Sequence, residues 1–371
     1  MSIVFNMTDS AAVKLVSLSI KTPPTKTSYT EGESFSTSGM VVQATYSNGV
    51  TAIVTGYSYS PTGALTASNT SITISYTEGG VTVTATQTIS VYSMPAAGTS
   101  LENCTWEEIR AVSDLGLASN YFAVGDRKSV AISGTVGQEP ISGTYYVYII
   151  GISHNGAANT IDFGTFKNAL SGGRDIVLID GGYGNEVQYA SGKYFNMNRT
   201  SQTNKGGWKS CILRYDILGS TRTSGGDAPT NTATSPVSGT LMAALPSALR
   251  AVMKPMTVYT DNTANGTEKA SNVTATVDYL PLLAEFELYG TRTYANSAEQ
   301  NYQAQYAYYT AVNYKWKYGH RTHDGEDGYV SYWMRSPRPT CTTSFCHASG
   351  NGAASDAVAG YSYGLSPIFR V

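Results

Sequence analysis

The sequence predicts two domains of different class: an all-β sandwich of short strands in front and a larger α+β domain behind it. Three observations lead there. Residues 13–92 show period-two alternation broken by turn signals, residues 93–100 read as a linker, and the remainder of the chain mixes helix starts with strands. The predicted boundaries are an arm at 1–10, the sandwich at 11–93, the linker at 94–101 and the second domain at 102–371.

Within the front part, Met40, Val42, Ala44 and Tyr46 alternate with more polar neighbours, as in a strand with one buried face. Asn48-Gly49 then reads as a tight hairpin using two positive-φ positions, with a second strand from Val50. A second hairpin runs from Ile72 to Tyr76, turns at Glu78-Gly79-Gly80 and returns from Val81 to Ala85. Seven or so short strands in about eighty residues suit a sandwich. The linker Ser93-Met94-Pro95-Ala96-Ala97-Gly98 lacks the apolar residues a core needs.

In the second domain Thr105 reads as the N-cap of a helix, with Glu107 and Glu108 in its first turn and Gly116 beyond its end. Strand signals come next at 129–136 and 145–152. A helix is predicted over 207–218 with Trp208, Cys211, Ile212 and Tyr215 on one side, and another segment at 241–253 has Pro246 near a helix start. Residues 273–289 are apolar enough for core. Beyond them Tyr294, Tyr302, Tyr306, Tyr308, Tyr309, Tyr314 and Tyr318 lead into the final segment, mostly as packing residues.

Composition removes several functional classes. Charged residues are 13% of the chain, about half the usual quarter, and the net charge is −2, so no long-range field attracts nucleic acid or anionic lipid. Lys315, Lys317 and Arg321 are too few for a base-stacking surface, and no nucleic-acid partner is expected. No apolar run has the length of a membrane span, and Met1-Ser2-Ile3-Val4-Phe5-Asn6 lacks the features of a secretory signal; a soluble product with no membrane insertion is expected. Cys104, Cys211, Cys341 and Cys346 are too scattered for a zinc site or a disulfide framework. His154, His320, His323 and His347 form no metal or triad motif, so no catalytic residue, metal or cofactor is assigned. His323-Asp324-Gly325-Glu326-Asp327-Gly328 lacks the spacing of a calcium loop, and Asp180-Gly181-Gly182-Tyr183-Gly184 has no following Lys to make a phosphate loop.

The informative stretch is 332–371. Tyr332-Trp333-Met334-Arg335-Ser336-Pro337 and Gly364-Leu365-Ser366-Pro367-Ile368-Phe369-Arg370-Val371 carry large residues that anchor strands, whereas 338–362 is almost all small or polar apart from Phe345 and Cys346. Such a run cannot bury enough apolar area to hold itself, so the rest of the fold must display it.

Two resemblances fit this layout. Tyr29-Thr30-Glu31-Gly32-Glu33-Ser34-Phe35 and Ile74-Ser75-Tyr76-Thr77-Glu78-Gly79-Gly80 resemble bacterial immunoglobulin-like domains, which implies a spacer. From residue 101 onward the chain resembles the variable proteins of diversity-generating retroelements, whose C-terminal part has a C-type-lectin fold related to the formylglycine-generating-enzyme type. The residues that carry this are Trp106-Glu107-Glu108-Ile109, Tyr121-Phe122-Ala123-Val124-Gly125-Asp126, the stretch from Trp208 to Ile217-Leu218-Gly219, Leu245-Pro246-Ser247-Ala248-Leu249, Trp333-Met334-Arg335-Ser336-Pro337 with Phe345-Cys346, and Gly364-Leu365-Ser366-Pro367.

In that family adenine-directed mutagenic copying rewrites the final segment. The resemblance implies a ligand surface made of Arg338, Thr340, Cys341, Thr342, Thr343, Ser344, His347, Ser349, Asn351, Ala353, Ala354, Ser355, Asp356, Ala357, Val358 and Tyr361. Pro339, Phe345, Cys346 and Gly352 look fixed between them. Trp333, Arg335, Phe345 and Phe369 are the expected scaffold anchors. The implied function is recognition of a host-surface protein or glycan receptor from a phage tail fibre or other virion surface, or from a bacterial cell surface, with a homotrimer or virion attachment as the setting. The competing readings are a lectin-like adhesin of fixed specificity and a thiol enzyme of the formylglycine-generating type.

Overall fold

The computed structural model describes residues 12–167, 174–178, 195–198, 201–219, 233–320 and 327–371. The arm at 1–10, the Asp180 to Gly184 run and residues 323–326 of the acidic turn lie outside the described residues. The chain divides into two compact units, Met1–Pro95 and Ala96–Val371.

Among its described residues the first unit has eight short strands. Leu15–Thr22, Val41–Tyr46 and Thr51–Val54 form one antiparallel sheet, and Ser58–Ser60, Ser71–Glu78 and Val81–Thr88 form another. Ser28–Thr30 pairs in parallel with Ser90–Tyr92. Alternation supplies the core: Leu15, Leu18, Val42, Ala44, Ile72 and Ile74 point inward to meet Tyr29, Phe35 and Leu65. The Gly79-Gly80 turn has both residues at positive φ (+57° and +80°) with Glu78 paired to Val81, as a two-residue hairpin requires.

The Asn48-Gly49 turn differs from expectation. Only Gly49 has a positive φ, +79°. The Tyr46 carbonyl accepts the Gly49 N–H at 2.9 Å, and the Asn48 Oδ1 accepts the Val50 N–H at 3.1 Å. The side chain of Asn48 thus closes a longer turn in which glycine alone takes the left-handed position.

In the second unit the central sheet is antiparallel, in the order Phe369–Arg370, Ile161–Lys167, Glu139–Ile152, Arg127–Val136. Residues more than two hundred positions apart are therefore neighbours, Asp162 opposite Arg370 and Phe163 opposite Phe369. Phe369 stacks on Phe163 at 5.2 Å, and Trp106 meets both rings edge-on. Trp106 opens the Trp106–Asp114 helix, whose start is fixed by the predicted cap: Thr105 accepts the Glu108 N–H, and Glu108 accepts the Thr105 N–H.

Two helix expectations are revised. Residues 207–218 hold a 3-10 turn at Trp208–Ser210 and a short α-helix at Ile212–Asp216 in place of one continuous helix. Buried Asp278 explains the break, since it accepts from Trp208 Nε1 at 3.0 Å and from Arg214 Nε at 2.6 Å and draws both side chains to one point. Ile212 and Tyr215 are half-buried, while Leu213 and Arg214 are the buried pair. Pro246 divides 241–253 into Leu241–Ala244 and Ser247–Val252.

A second, three-stranded sheet carries the informative stretch: Tyr332–Pro337, then Ser344–Ala348 in the middle, then Ala354–Val358, all antiparallel. Among the described residues no helix is long and apolar enough to cross a membrane.

Candidate functional site

The strand Tyr332–Pro337 is buried along its whole length, and its polar side chains are tied by their own bonds. Arg335 is forked onto Glu287, Nη1 to Oε2 and Nη2 to Oε1, both at 2.6 Å, and Nη1 also donates to the Leu282 carbonyl at 2.7 Å. Ser336 Oγ donates to Glu299 at 2.7 Å, and Trp333 Nε1 donates to the Phe195 carbonyl at 2.8 Å. Burial pushes the Glu299 carboxyl up to about 7, although the bonds from Ser336 and the Asp261 N–H oppose this. All four predicted anchors are buried, Trp333, Arg335 and Phe369 at 0% exposure and Phe345 at 1%.

The loop after Pro337 is held differently. Buried Asn204 reaches into it, and its Nδ2 lies 3.1 Å from the Arg338 carbonyl, 3.1 Å from that of Cys341 and 2.8 Å from that of Ser344. The Asn204 N–H and the Thr203 hydroxyl donate to the Thr342 carbonyl. A neighbouring segment holds the return: Asn196 Nδ2 donates to the Gly360 carbonyl at 2.5 Å, the Asn198 N–H to that of Ala359, and the Phe195 N–H to Ser362 Oγ. Nearly all of these acceptors are main-chain carbonyls, which every amino acid supplies at those positions.

The turn at 349–353 is fixed by backbone bonds between Ser349, Gly352 and Ala353 and by two of its own side chains, with Asn351 Oδ1 accepting from Ser349 Oγ at 2.6 Å and from the Ala353 N–H at 3.1 Å. Gly352 has φ +82°, and a Cβ there would lie 2.6 Å from the Trp316 nitrogen. Its carbonyl accepts from the Tyr289 hydroxyl at 3.0 Å. No other residue fits this position without strain, which gives a physical reason for its apparent fixity.

Exposure divides the sixteen predicted surface positions. Thr340, Thr342, Asn351 and Ala353 are open, and Arg338, Cys341, Thr343, Ser349, Ala354, Ser355, Asp356, Val358 and Tyr361 are half-exposed. Ser344, His347 and Ala357 are buried at 6%, 5% and 8% and are corrected to core-facing residues. Ser344 and His347 lie on the central strand, which is buried on both faces, whereas Ala357 is the single buried residue of the edge strand Ala354–Val358, paired with Phe345. His347 packs against Trp333 and Tyr363, with ring centroids 6.1 and 4.6 Å away.

The open and half-open residues form a polar face with one ion pair. Arg338 and Asp356 meet at 3.1 Å, and the Arg338 guanidinium lies 5.6 Å from the Tyr294 ring. Tyr294 and Tyr363 were not among the sequence-predicted site residues. For Tyr363 a signal existed, since in Tyr361-Ser362-Tyr363 the middle residue is buried and the flanking rings are half-exposed.

Among the thiols, Cys346 is fully buried and pushed well up by desolvation. For Cys341 desolvation acts upward too, but bonds from the Thr343 and Ser344 side chains and N–H groups outweigh it and bring the thiol down to about 7. The sequence, in which no set of basic neighbours surrounds Cys341, gave no sign of this. All four cysteines are free. Among the described residues no cluster of His, Cys, Asp or Glu is arranged to hold a metal ion.

Comparison with known families adds two findings. Residues 22–91 match the family of bacterial Ig-like domains (group 3), and the front of the chain is a domain of that kind. Residues 188–371 match a family model described as a domain of unknown function, DUF6273. None of the curated proteins matches the chain.

Proposed function

We propose that the second unit is a receptor-binding head with a C-type-lectin fold, that its 338–362 segment is the diversified ligand surface, and that the immunoglobulin-like domain serves as its spacer. The observation that carries this reading is the Asn204 clamp. A surface meant to accept many side chains needs a backbone held by groups that do not depend on them, and Asn204 bonds three carbonyls of the loop. Thirteen of the sixteen positions are exposed or partly exposed, and the residues between them, Pro339, Phe345, Cys346 and Gly352, are buried or sterically fixed. The sheet in which residues 369–370 pair beside 161–167 supports the fold assignment.

The ligand is a protein or glycan on a host surface, bound without covalent chemistry through short polar side chains and tyrosine. The setting is a virion surface, with a bacterial cell surface as the alternative. The test is to replace Thr340, Thr342 and Ala353 together and to measure which bacterial cells the purified full chain binds. A changed host range with an unchanged melting temperature supports the reading; an unchanged host range removes it. A near-identical copy of this coding stretch differing at adenines, beside a reverse-transcriptase gene, separates a diversified surface from an adhesin of fixed specificity.

One observation favours thiol chemistry instead, namely the lowered, half-exposed Cys341. That alternative requires a turnover that Cys341→Ser abolishes and Cys346→Ser leaves in place.

A further inference from the structure

The strands Lys317–His320 and Asp327–Val330 form an antiparallel ribbon whose two faces differ in kind. Alternation turns Lys317, Gly319 and Val330 inward, all of them buried, and leaves Tyr318 opposite Tyr329 on the outer face. Trp316 and Tyr314 continue that face at the same two-residue spacing. Tyr314 stacks on Trp316 at 4.5 Å with 23° between their planes, Trp316 meets Tyr329 at 4.7 Å and 67°, and Tyr329 meets Tyr318 at 5.5 Å. The four rings make one strip that solvent reaches: Tyr329 is 50% exposed and the other three are partly exposed.

Folding accounts for only part of this strip. Cross-strand pairing explains Tyr318 and Tyr329, but Trp316 and Tyr314 precede the first pair, Lys317 with Val330, and brace no strand. The polar tips are unused as well, since Trp316 Nε1 and the hydroxyls of Tyr314, Tyr318 and Tyr329 make no hydrogen bond with a described residue. Arg174 lies over Tyr318, 5.3 Å from its ring, so Tyr314, Trp316 and Tyr329 are the open part. That part borders the 349–353 turn: a Cβ on Gly350 would lie 3.3 Å from the Tyr329 carbonyl oxygen, and one on Gly352 2.6 Å from the Trp316 nitrogen.

Charge and geometry narrow the occupant. Aromatic faces carry a negative quadrupole, whose complement is a cation or a layer of positively polarised C–H groups. Tyr314 and Trp316 stack directly on each other and leave no gap that would enclose a cation. The nearby lysines are already engaged, Lys315 Nζ on the Tyr309 and Val312 carbonyls and Lys317 buried beside Asp175, which disfavours an anionic partner such as a nucleic-acid strand. A ligand with a flat C–H face and a rim of hydroxyls uses both the rings and their free polar tips. A pyranose with equatorial hydroxyls has that form.

We propose that Tyr314, Trp316 and Tyr329 form a fixed subsite for a neutral pyranose of a surface polysaccharide, beside the 349–353 turn. This deepens the receptor-binding reading by naming the ligand class, and it rests on that reading for its setting alone, since none of the three rings belongs to 338–362. The rings hold the sugar, and the residues of the adjoining turn meet what is attached to it.

Trp106, Trp208 and Trp333 are buried and Trp316 is not, so iodide quenching of tryptophan fluorescence reports on this face. The test is that quenching on the full chain with cellohexaose, with mannohexaose, whose axial hydroxyls interrupt one face, with sorbitol, which has hydroxyls but no ring, and with a thymidine oligonucleotide. Cellohexaose is expected to shield Trp316 most, mannohexaose less, and the other two not at all. Trp316→Ala and Tyr329→Ala each weaken cellohexaose binding about three- to tenfold, read by saturation-transfer NMR on its ring protons. No shielding by either hexasaccharide, equal shielding by sorbitol or the oligonucleotide, or unchanged affinity in Tyr329→Ala overturns the assignment. If Trp316→Ala fails to fold, Tyr329→Ala decides alone. Replacing Thr340, Thr342 and Ala353 together leaves the shielding in place, so a failure here is distinguishable from a failure of the receptor-surface reading.

Discussion

The strand Tyr332–Pro337 and the loop directly after it are contiguous in sequence and held by opposite means. In the strand the side chains make the bonds: Arg335 to Glu287, Ser336 to Glu299, Trp333 to Phe195. In the loop the carbonyls of Arg338, Cys341, Thr342 and Ser344 are received by Thr203 and Asn204, and many of the loop's own side chains face outward. Side chains thus carry the strand's bonds, whereas the loop's backbone is held mainly from outside it, with Cys341, Ser349 and Asn351 adding local side-chain bonds. A fold can place a tolerant surface directly beside an intolerant one by changing which part of the chain carries the bonds.

The sharpest way to break this contrast is Arg335→Met, which leaves Glu287 as an unpaired buried carboxylate. A loss of about 3–5 kcal/mol is expected in urea denaturation, and a loss below 1 kcal/mol would mean that the strand is as tolerant as the loop. Glu299 adds a pH signature. Its folded pKa of about 7 lies above the unfolded carboxyl value, so the folded state binds the extra proton. Stability from this group is fully present below about pH 4.3 and is lost as pH rises through 7, by about 1.4 kcal/mol for each pH unit that separates the folded from the unfolded value. Glu299→Gln should flatten the stability profile between pH 5 and 8, as followed by thermal melts across that range.

Asn204→Ala tests the loop's side of the comparison. With three carbonyl contacts removed, a loss of about 2 kcal/mol is expected, together with faster amide exchange confined to 338–344, as read by hydrogen-exchange mass spectrometry. The smallest effect belongs to Thr340, Thr342 and Ala353, whose side chains make no hydrogen bond to the rest of the fold, unlike Asn351, which accepts from Ser349 and Ala353. Single substitutions at these positions should stay within about 0.5 kcal/mol in the same denaturation assay, and several losses near 2 kcal/mol would show that the surface contributes to the fold.

Local patterns made much of this legible in advance. Thr105 and Glu108 form the cap their spacing implies, Gly79-Gly80 makes the expected turn, and the alternation of Val42 with Ala44 marks a buried face. The features that stayed hidden depend on distant partners. Nothing near 207–218 reveals that Asp278 will draw Trp208 and Arg214 together, and nothing near Ser344 or His347 reveals that their strand will be covered on both faces. Asn204 was invisible for the same reason, because its role is defined by carbonyls more than a hundred residues away. The resemblance implied a surface place for His347, whereas Trp333 and Tyr363 enclose it.

The pairing of Phe369 with Phe163 makes closure of the central sheet depend on the reading frame through 338–362. A stop codon or a shifted reading frame anywhere in 338–362 deletes or scrambles the strand that completes the central sheet. Such a product never closes its domain, and cellular proteases remove it. Changes of length or frame in 338–362 therefore cost the closing strand, whereas exchanges of single outward-facing residues leave it in place.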